Sequence, residues 1–175
     1  MKAAVHCEMD TGMVFAQLRL SDEAGIREMS DMATAIVREH FDPLIGKEQN
    51  DYMLALFQSR DAIRRQLETG YRYYFVRLEG RNIGFVAFYP KDDSMYLSKF
   101  YLYREARGKG YSRRMMDFVI RETRSAGLAG IELNVNRNNS ACRAYEHLGF
   151  KIIRSEKNDI GRGFYMDDYV YRLDL

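Results

Sequence analysis

Cysteine is nearly absent from this chain. Cys7 and Cys142 are the two in 175 residues, too few for a disulfide framework and in no spacing that a metal site uses. They read as reduced thiols, which points to the cytoplasm. His6, His40 and His147 are scattered, so neither a zinc centre nor a Cys–His nucleophile assembles from them, and no metal is implied. Long apolar runs are missing too. None approaches the ~20 residues that would span a bilayer, and Lys2, Glu8 and Asp10 interrupt the stretch where a signal peptide would be apolar. Charge of one sign is not in excess. Lys and Arg number 27 against 25 Asp and Glu, a balance that argues against nucleic acid and against an anionic membrane as partners. Arg104, Arg107, Lys109, Arg113, Arg114, Arg121 and Arg124 stand among carboxylates and fit a solvated helix face better than an RNA surface.

The composition, 46% hydrophobic and 30% charged, is that of an ordered globular chain. Its length fits a single domain with one substantial core, expected over 13–175 after a loose lead-in at 1–12. Met13–Leu20 alternates as a strand. Ser21 is a candidate N-cap, with Asp22 and Glu23 in the first turn of a helix over 22–40. Pro43 and Gly46 should break the chain, with shorter helices after Asp51 and after Ser59 and a stop at Gly70. Tyr71–Leu78 and Asn82–Tyr89 read as a hairpin, Met95–Tyr103 as the next strand, Ile131–Val135 as another, and Phe150–Ser155 with Phe164–Leu173 as a closing hairpin. The order implies an α/β (α+β) architecture: a central mixed sheet flanked by helices on both faces.

Two motifs carry chemistry. Arg107-Gly108-Lys109-Gly110-Tyr111-Ser112-Arg113 joins a strand to a helix whose apolar stripe includes Met115, Met116, Val119 and Ile120. Unpaired N–H groups and a partial positive charge at a helix start bind phosphate oxygens, and glycines let the ligand reach the backbone. A P-loop signature is absent, and Arg113 stands where a dinucleotide fingerprint needs glycine. By itself the loop is equally well an ordinary strand-to-helix turn. The second motif is Asn138, Ala141, Tyr145, Gly149 and Phe150 in the spacing N-x-x-A-x-x-x-Y-x-x-x-G-F. It follows a strand whose residues Glu132, Asn134 and Asn136 alternate with Ile131, Leu133 and Val135, so one strand face is polar. That suggests a wet cleft, or else a strand near an edge. Cys142 lies on the same short helix with no partner base in view, and a buried structural thiol is its simplest reading.

In this order the two motifs resemble the GNAT superfamily of acetyl-CoA-dependent N-acetyltransferases, over most of residues 71–173. Its loop pattern [QR]-x-x-G-x-[GA] falls on Arg107, Gly110 and Ser112, the serine being a departure small enough to leave the amide accessible. The resemblance implies a GNAT-like acyl-CoA N-acyltransferase fold with acetyl-CoA as co-substrate, held through Tyr101, Leu102 and residues 107–113. It implies that Asn138 lies near the pantetheine arm, that a backbone N–H of the Tyr101–Leu102 segment polarises the thioester carbonyl, and that Tyr145 is the acid beside the sulfur. The strand Met95–Tyr103 holds no carboxylate, so the proton is expected to leave through ordered water, with Glu132 or a carboxylate from elsewhere as the relay left open. Tyr165–Tyr169 loosely resembles the diamine and polyamine acetyltransferases. Glu39, Asp42, Glu48 and Asp51, with Asp167 and Asp168, are then candidates for an acidic mouth that takes a small cationic amine, and Tyr52, Tyr73 and Tyr96 for cation–π contacts. Solvated surface and core packing are the competing readings. Acetylation of a protein N-terminus or lysine, or a non-catalytic CoA-binding module, are the alternative functions. Assembly is left open, with a homodimer among the states allowed.

Overall fold

A computed structural model describes residues 12–175. Apart from Gly12, the expected lead-in lies outside the described residues, as does Cys7. The elements run β1 (Met13–Gln17), α1 (Glu23–Ile45), α2 (Lys47–Phe57), α3 (Arg60–Glu68), β2 (Arg72–Leu78), β3 (Arg81–Lys91), β4 (Ser94–Leu102), a 3₁₀ turn, α4 (Tyr111–Ser125), β5 (Gly130–Asn136), α5 (Ala141–His147), β6 (Lys151–Gly161) and β7 (Phe164–Asp174). The strands form one mixed sheet in the order β1-β2-β3-β4-β5-β7-β6. Among the described strands only β4 and β5 are parallel, joined by the α4 crossover; every other pair is antiparallel.

Side chains on the two faces build two cores. On one face Tyr74, Val86, Leu97, Leu102, Leu133 and Tyr171 pack with Met115, Met116 and Val119 of α4, and Ala141, Cys142 and Tyr145 of α5 join them. On the other, Tyr73, Phe75, Phe85 and Ala87 pack against Ile26, Met29 and Ile36 of α1 and Ile63 of α3. In β4, Ala87 faces Lys99 and Phe88 faces Leu97, so Ser98 is a bulge residue without a cross-strand partner. The extra residue rotates the rest of the strand. Met95 and Leu97 before it and Phe100 and Leu102 after it therefore all face α4, while Tyr101 turns to the α1 side.

Several boundaries differ from the sequence reading. Asp22 rather than Ser21 caps α1, its carboxylate accepting from the Gly25 N–H at 2.9 Å. Pro43 does not break the helix. It lies in the last turn, where its missing N–H costs one bond, and α1 runs on to Ile45 before Gly46, with φ 85°, turns the chain. The helix expected after Asp51 starts earlier, at Lys47, whereas Ser59 caps α3 as expected, accepting from the Ala62 N–H. β1 ends at Gln17, and the closing hairpin is longer than its apolar pattern suggested, because β6 continues through charged residues to Gly161. Among the described residues no helix is long and apolar enough to cross a membrane.

Candidate active site

The sheet opens in its middle. β4 and β5 pair only through Ser94–Gly130, Met95–Ile131 and Tyr96–Glu132, and then separate, while β5 stays bonded to β7 as far as Asn136–Asp168. A cleft of about 750 Å³ occupies the gap, lined by Leu97–Leu102 of β4, by Leu133–Asn136 of β5, and by residues from both faces of the sheet. Strand backbone that has lost its neighbour must find other hydrogen-bond partners, so the two lips are suited to an extended ligand.

Arg107, whose Nε donates to the Leu102 carbonyl at 3.1 Å, and Ser112 line the cleft on the α4 side. Gly108 and Gly110 have φ of 71° and 82°, the left-handed region that favours glycine. Gly110 is the N-cap of α4, no side chain caps it, and the first turn carries no acid. The first N–H groups of α4 are therefore free of side-chain competitors, and Arg107, Gly108, Lys109, Gly110, Ser112 and Arg113 are exposed around them. An anion has access to this helix start. Tyr111 instead packs against the core.

Tyr145 enters from the same side on α5, its ring against Phe100, Phe150 and Tyr171. Burial, with Tyr101 and Cys142 adding, pushes its phenol well above the ordinary range. It stays protonated and can donate. The Cys142 thiol donates to the Asn136 carbonyl at 3.7 Å, and the residue is half-buried, packed against the core and not sealed within it.

The opposite side of the gap is roofed by α1, α2 and the β6–β7 hairpin. Tyr52 of α2 donates its hydroxyl to the Ile160 carbonyl at 2.7 Å, and Gln49 donates to the Tyr165 carbonyl at 2.8 Å. Beneath this roof Tyr96 donates to Asn134 at 3.0 Å, and the Asn134 amide donates to Asp168 at 3.4 Å. Asp168 is 2% exposed. Burial, reinforced by Glu156 and Asp167, raises its carboxyl above the usual carboxylate range against the lowering effect of Asn134. Tyr101, pushed up to about 12 by burial and then by Asp168, also acts on Tyr145, so a phenol on one side of the sheet and a carboxylate on the other share one neighbour.

The structure brings Tyr101, Leu102, Arg107, Ser112 and Tyr145 together at the cleft, with the rest of the 107–113 loop beside it, and places other candidates elsewhere. Asn138 is exposed and does not line the cleft; Asn136 and Asn139 do. Asn136 accepts from the Asn138 N–H at 3.0 Å, while Asn139 accepts from Ala141 at 3.0 Å and meets His40 of α1 at 3.1 Å. The acidic mouth is dispersed. Asp51 is held by Arg38 and Lys47, Asp42 accepts from Asn50, Glu39 faces Arg104 and Arg107, and Asp167 pairs with Arg137. Of the six acids only Asp168 lines the cleft. Glu132 is bound to Arg172 at 3.1 Å and faces Arg154 at 3.7 Å, outside the cleft. Of the three tyrosines, Tyr73 is wholly buried and donates to Gln66, and Tyr52 is a roof strut. Tyr96 does line the cleft and lies under Lys91, 5.3 Å from its ring. Sequence reading passed over Lys99 and Gln58, both buried and both in the cleft wall.

Residues 34–150 match the acetyltransferase (GNAT) family. The chain belongs to that family of acetyltransferases. No curated protein matches it. Among solved structures it is similar to the PaiA N-acetyltransferase from Thermoplasma acidophilum in complex with coenzyme A, with 14% identity, 93% of this chain and 99% of that chain covered, and a TM-score of 0.74. It is similar also to the spermidine/spermine N-acetyltransferase SpeG from Vibrio cholerae, with 17% identity, 94% and 95% covered, and a TM-score of 0.65. A third likeness is to the IAA acetyltransferase from Bacillus cereus, with 15% identity, 93% and 99% covered, and a TM-score of 0.62. At such identities the likeness is one of fold.

Proposed function

We propose that this chain transfers the acetyl group of acetyl-CoA to the primary amine of a small molecule by direct attack on the thioester. The observation that carries the reading is the gap between β4 and β5, with an anion seat and a phenol on one side and a buried carboxylate on the other. In this reading residues 107–113 hold the pyrophosphate, backbone of the Tyr101–Leu102 segment polarises the thioester carbonyl, and Tyr145 donates to the departing sulfur. The roof made by α2 and the hairpin tip favours a compact acceptor over an extended protein segment. The reacting nitrogen arrives as a cation, as in the spermidine and spermine for which SpeG is named.

The proton balance assigns the remaining role. An alkyl ammonium near pKa ~10.4 needs about 4–5 kcal/mol to become neutral at pH 7. Asp168, raised by burial, is a stronger base than a solvated carboxylate and takes that proton, directly or through one water. The neutral nitrogen attacks the carbonyl carbon, the C–S bond breaks, the sulfur receives a hydrogen bond and then a proton from Tyr145, and the second proton shed by the nitrogen restores the phenol, so that the proton on Asp168 is the one released to solvent. Amide and free thiol result. Thiol release from acetyl-CoA over a panel of amines, beside the rise in Tm that acetyl-CoA produces, tests the reading. Tyr145→Phe is expected to lose about 10²–10⁴ in kcat while keeping the Tm rise; unchanged kcat would return Tyr145 to a packing role.

A further inference from the structure

Lys99 has no use in the reaction so far described, and its surroundings are unusual for a lysine. It is 9% exposed, lies on β4 immediately after the bulge, and lines the cleft. Its nearest described partner is not a carboxylate but the ring face of Phe57, 5.8 Å from Nζ to the centroid. Burial alone, with no compensating anion, lowers its proton affinity to about 8, so at neutral pH it is still mostly an ammonium. Beside Phe57 in sequence stands Gln58, which is 6% exposed and in the same cleft wall. Its backbone carbonyl is taken by the Ser30 hydroxyl at 2.8 Å, yet its side-chain Oε1 is buried without a partner. A cation without a counter-ion and an acceptor without a donor, both buried at one cavity, are costly unless something else completes them.

We infer that the acceptor amine also carries a carboxylate, which Lys99 receives while Gln58 accepts a hydrogen bond from the same molecule. The inference rests on the transferase reading above and narrows its substrate class to small zwitterionic amines of amino-acid type. The two charged buried groups of the cleft then have separate duties. Asp168 lies on β7 beside Asn134 and faces the ammonium end; Lys99 lies by α2 and faces the carboxylate end. Each meets a different neighbour, Lys99 the Phe57 ring and Asp168 the Asn134 amide. A polyamine, by contrast, would bring a second cation towards an ammonium that nothing screens, a like-charge contact in a poorly solvated site. The cleft has room for an acceptor of this size beside the pantetheine end of acetyl-CoA.

The test follows thiol release from acetyl-CoA with the standard α-amino acids, 4-aminobutyrate, the primary amides of each, the matching amines that lack the carboxylate, and spermidine. At least one amino acid is expected to exceed its own amide by about 10²-fold in kcat/KM. Lys99→Met is expected to raise the KM for that amino acid about 10–100-fold with kcat little changed, since a charge-assisted hydrogen bond to a remote group is lost. Lys99→Arg should recover part of the affinity, and Gln58→Leu should act in the same direction more weakly. Equal rates with acid and amide, or spermidine as the best acceptor, would overturn the inference. So would a fall in kcat for every amine in Lys99→Met, which would make the lysine part of the chemistry. If no amine at all is acetylated although coenzyme A raises the Tm, the transferase reading itself fails, and this inference with it.

Discussion

Asp168 and Lys99 are both buried ionisable side chains, and burial moves them in opposite directions. The carboxyl of Asp168 is raised, so kcat should climb with pH along an acidic limb whose midpoint lies above 3.8, the ordinary value for the group. Asp168→Asn can keep the contact to Asn134 and remove the proton acceptor. It is expected to lose about 10²–10⁴ in kcat and to abolish that limb, read from pH–rate profiles of the two proteins. Lys99 is lowered from 10.5 to about 8. Below about 8 the lysine is protonated in both folded and unfolded chains, and the full cost of its burial is present. Between about 8 and 10.5 the unfolded chain holds more protons than the folded one, so stability rises with pH across that window. The gap corresponds to roughly 3 kcal/mol at most. Lys99→Met is therefore expected to be more stable than the wild type at pH 7, with the difference shrinking towards pH 10, as urea titrations at several pH values will show. A side chain expected to weaken the fold yet placed in a cleft wall is the pattern of a functional group.

The elements that position the site depend on close backbone approach more than on side-chain identity. Gly84 of β3 faces Leu102, and a Cβ there would overlap the Tyr101 carbonyl oxygen. Gly84→Ala should cost on the order of 2–3 kcal/mol in urea unfolding and lower activity as well, because the strand it would displace is a lip of the cleft. Much of this level was legible in the chain. Apolar alternation marked the strands, the Gly108–Gly110 turn marked the start of α4, and the spacing of Ala141 and Tyr145 put both on the packed side of α5. The bulge was legible too, since the apolar positions of β4 step from 95 and 97 to 100 and 102. The sequence reading took Met95–Tyr103 as a strand without assigning its faces, and so did not give the side to which Lys99 and Tyr101 turn. Asn138, Asn139 and Asn136 could not be told apart, because the choice depends on how the loop after β5 closes against His40 of α1, ninety-nine positions earlier. The acidic mouth failed for a related reason. Local charge density says nothing about partners such as Arg137 and Arg38, which neutralise Asp167 and Asp51.

At the scale of the whole molecule, one face of the sheet carries α4 and α5 and the other carries α1 to α3; the opening between β4 and β5 joins them. This has a kinetic meaning. A protein in which both reactants used one entrance would have to admit and discharge them in a fixed order, or else pass the acetyl group to itself in between. In the proposed reading acetyl-CoA approaches from the α4–α5 face and the amine from the α1–α3 face, so neither blocks the other's arrival or departure. Double-reciprocal plots at several fixed concentrations of the second substrate should intersect rather than run parallel. Coenzyme A should compete with acetyl-CoA alone, and a dead-end analogue of the amine with the amine alone. Parallel lines would mean a covalently acetylated protein, and would send attention back to Cys142. Intersecting lines would make the sheet, usually the most closed part of a fold, a corridor entered from both ends.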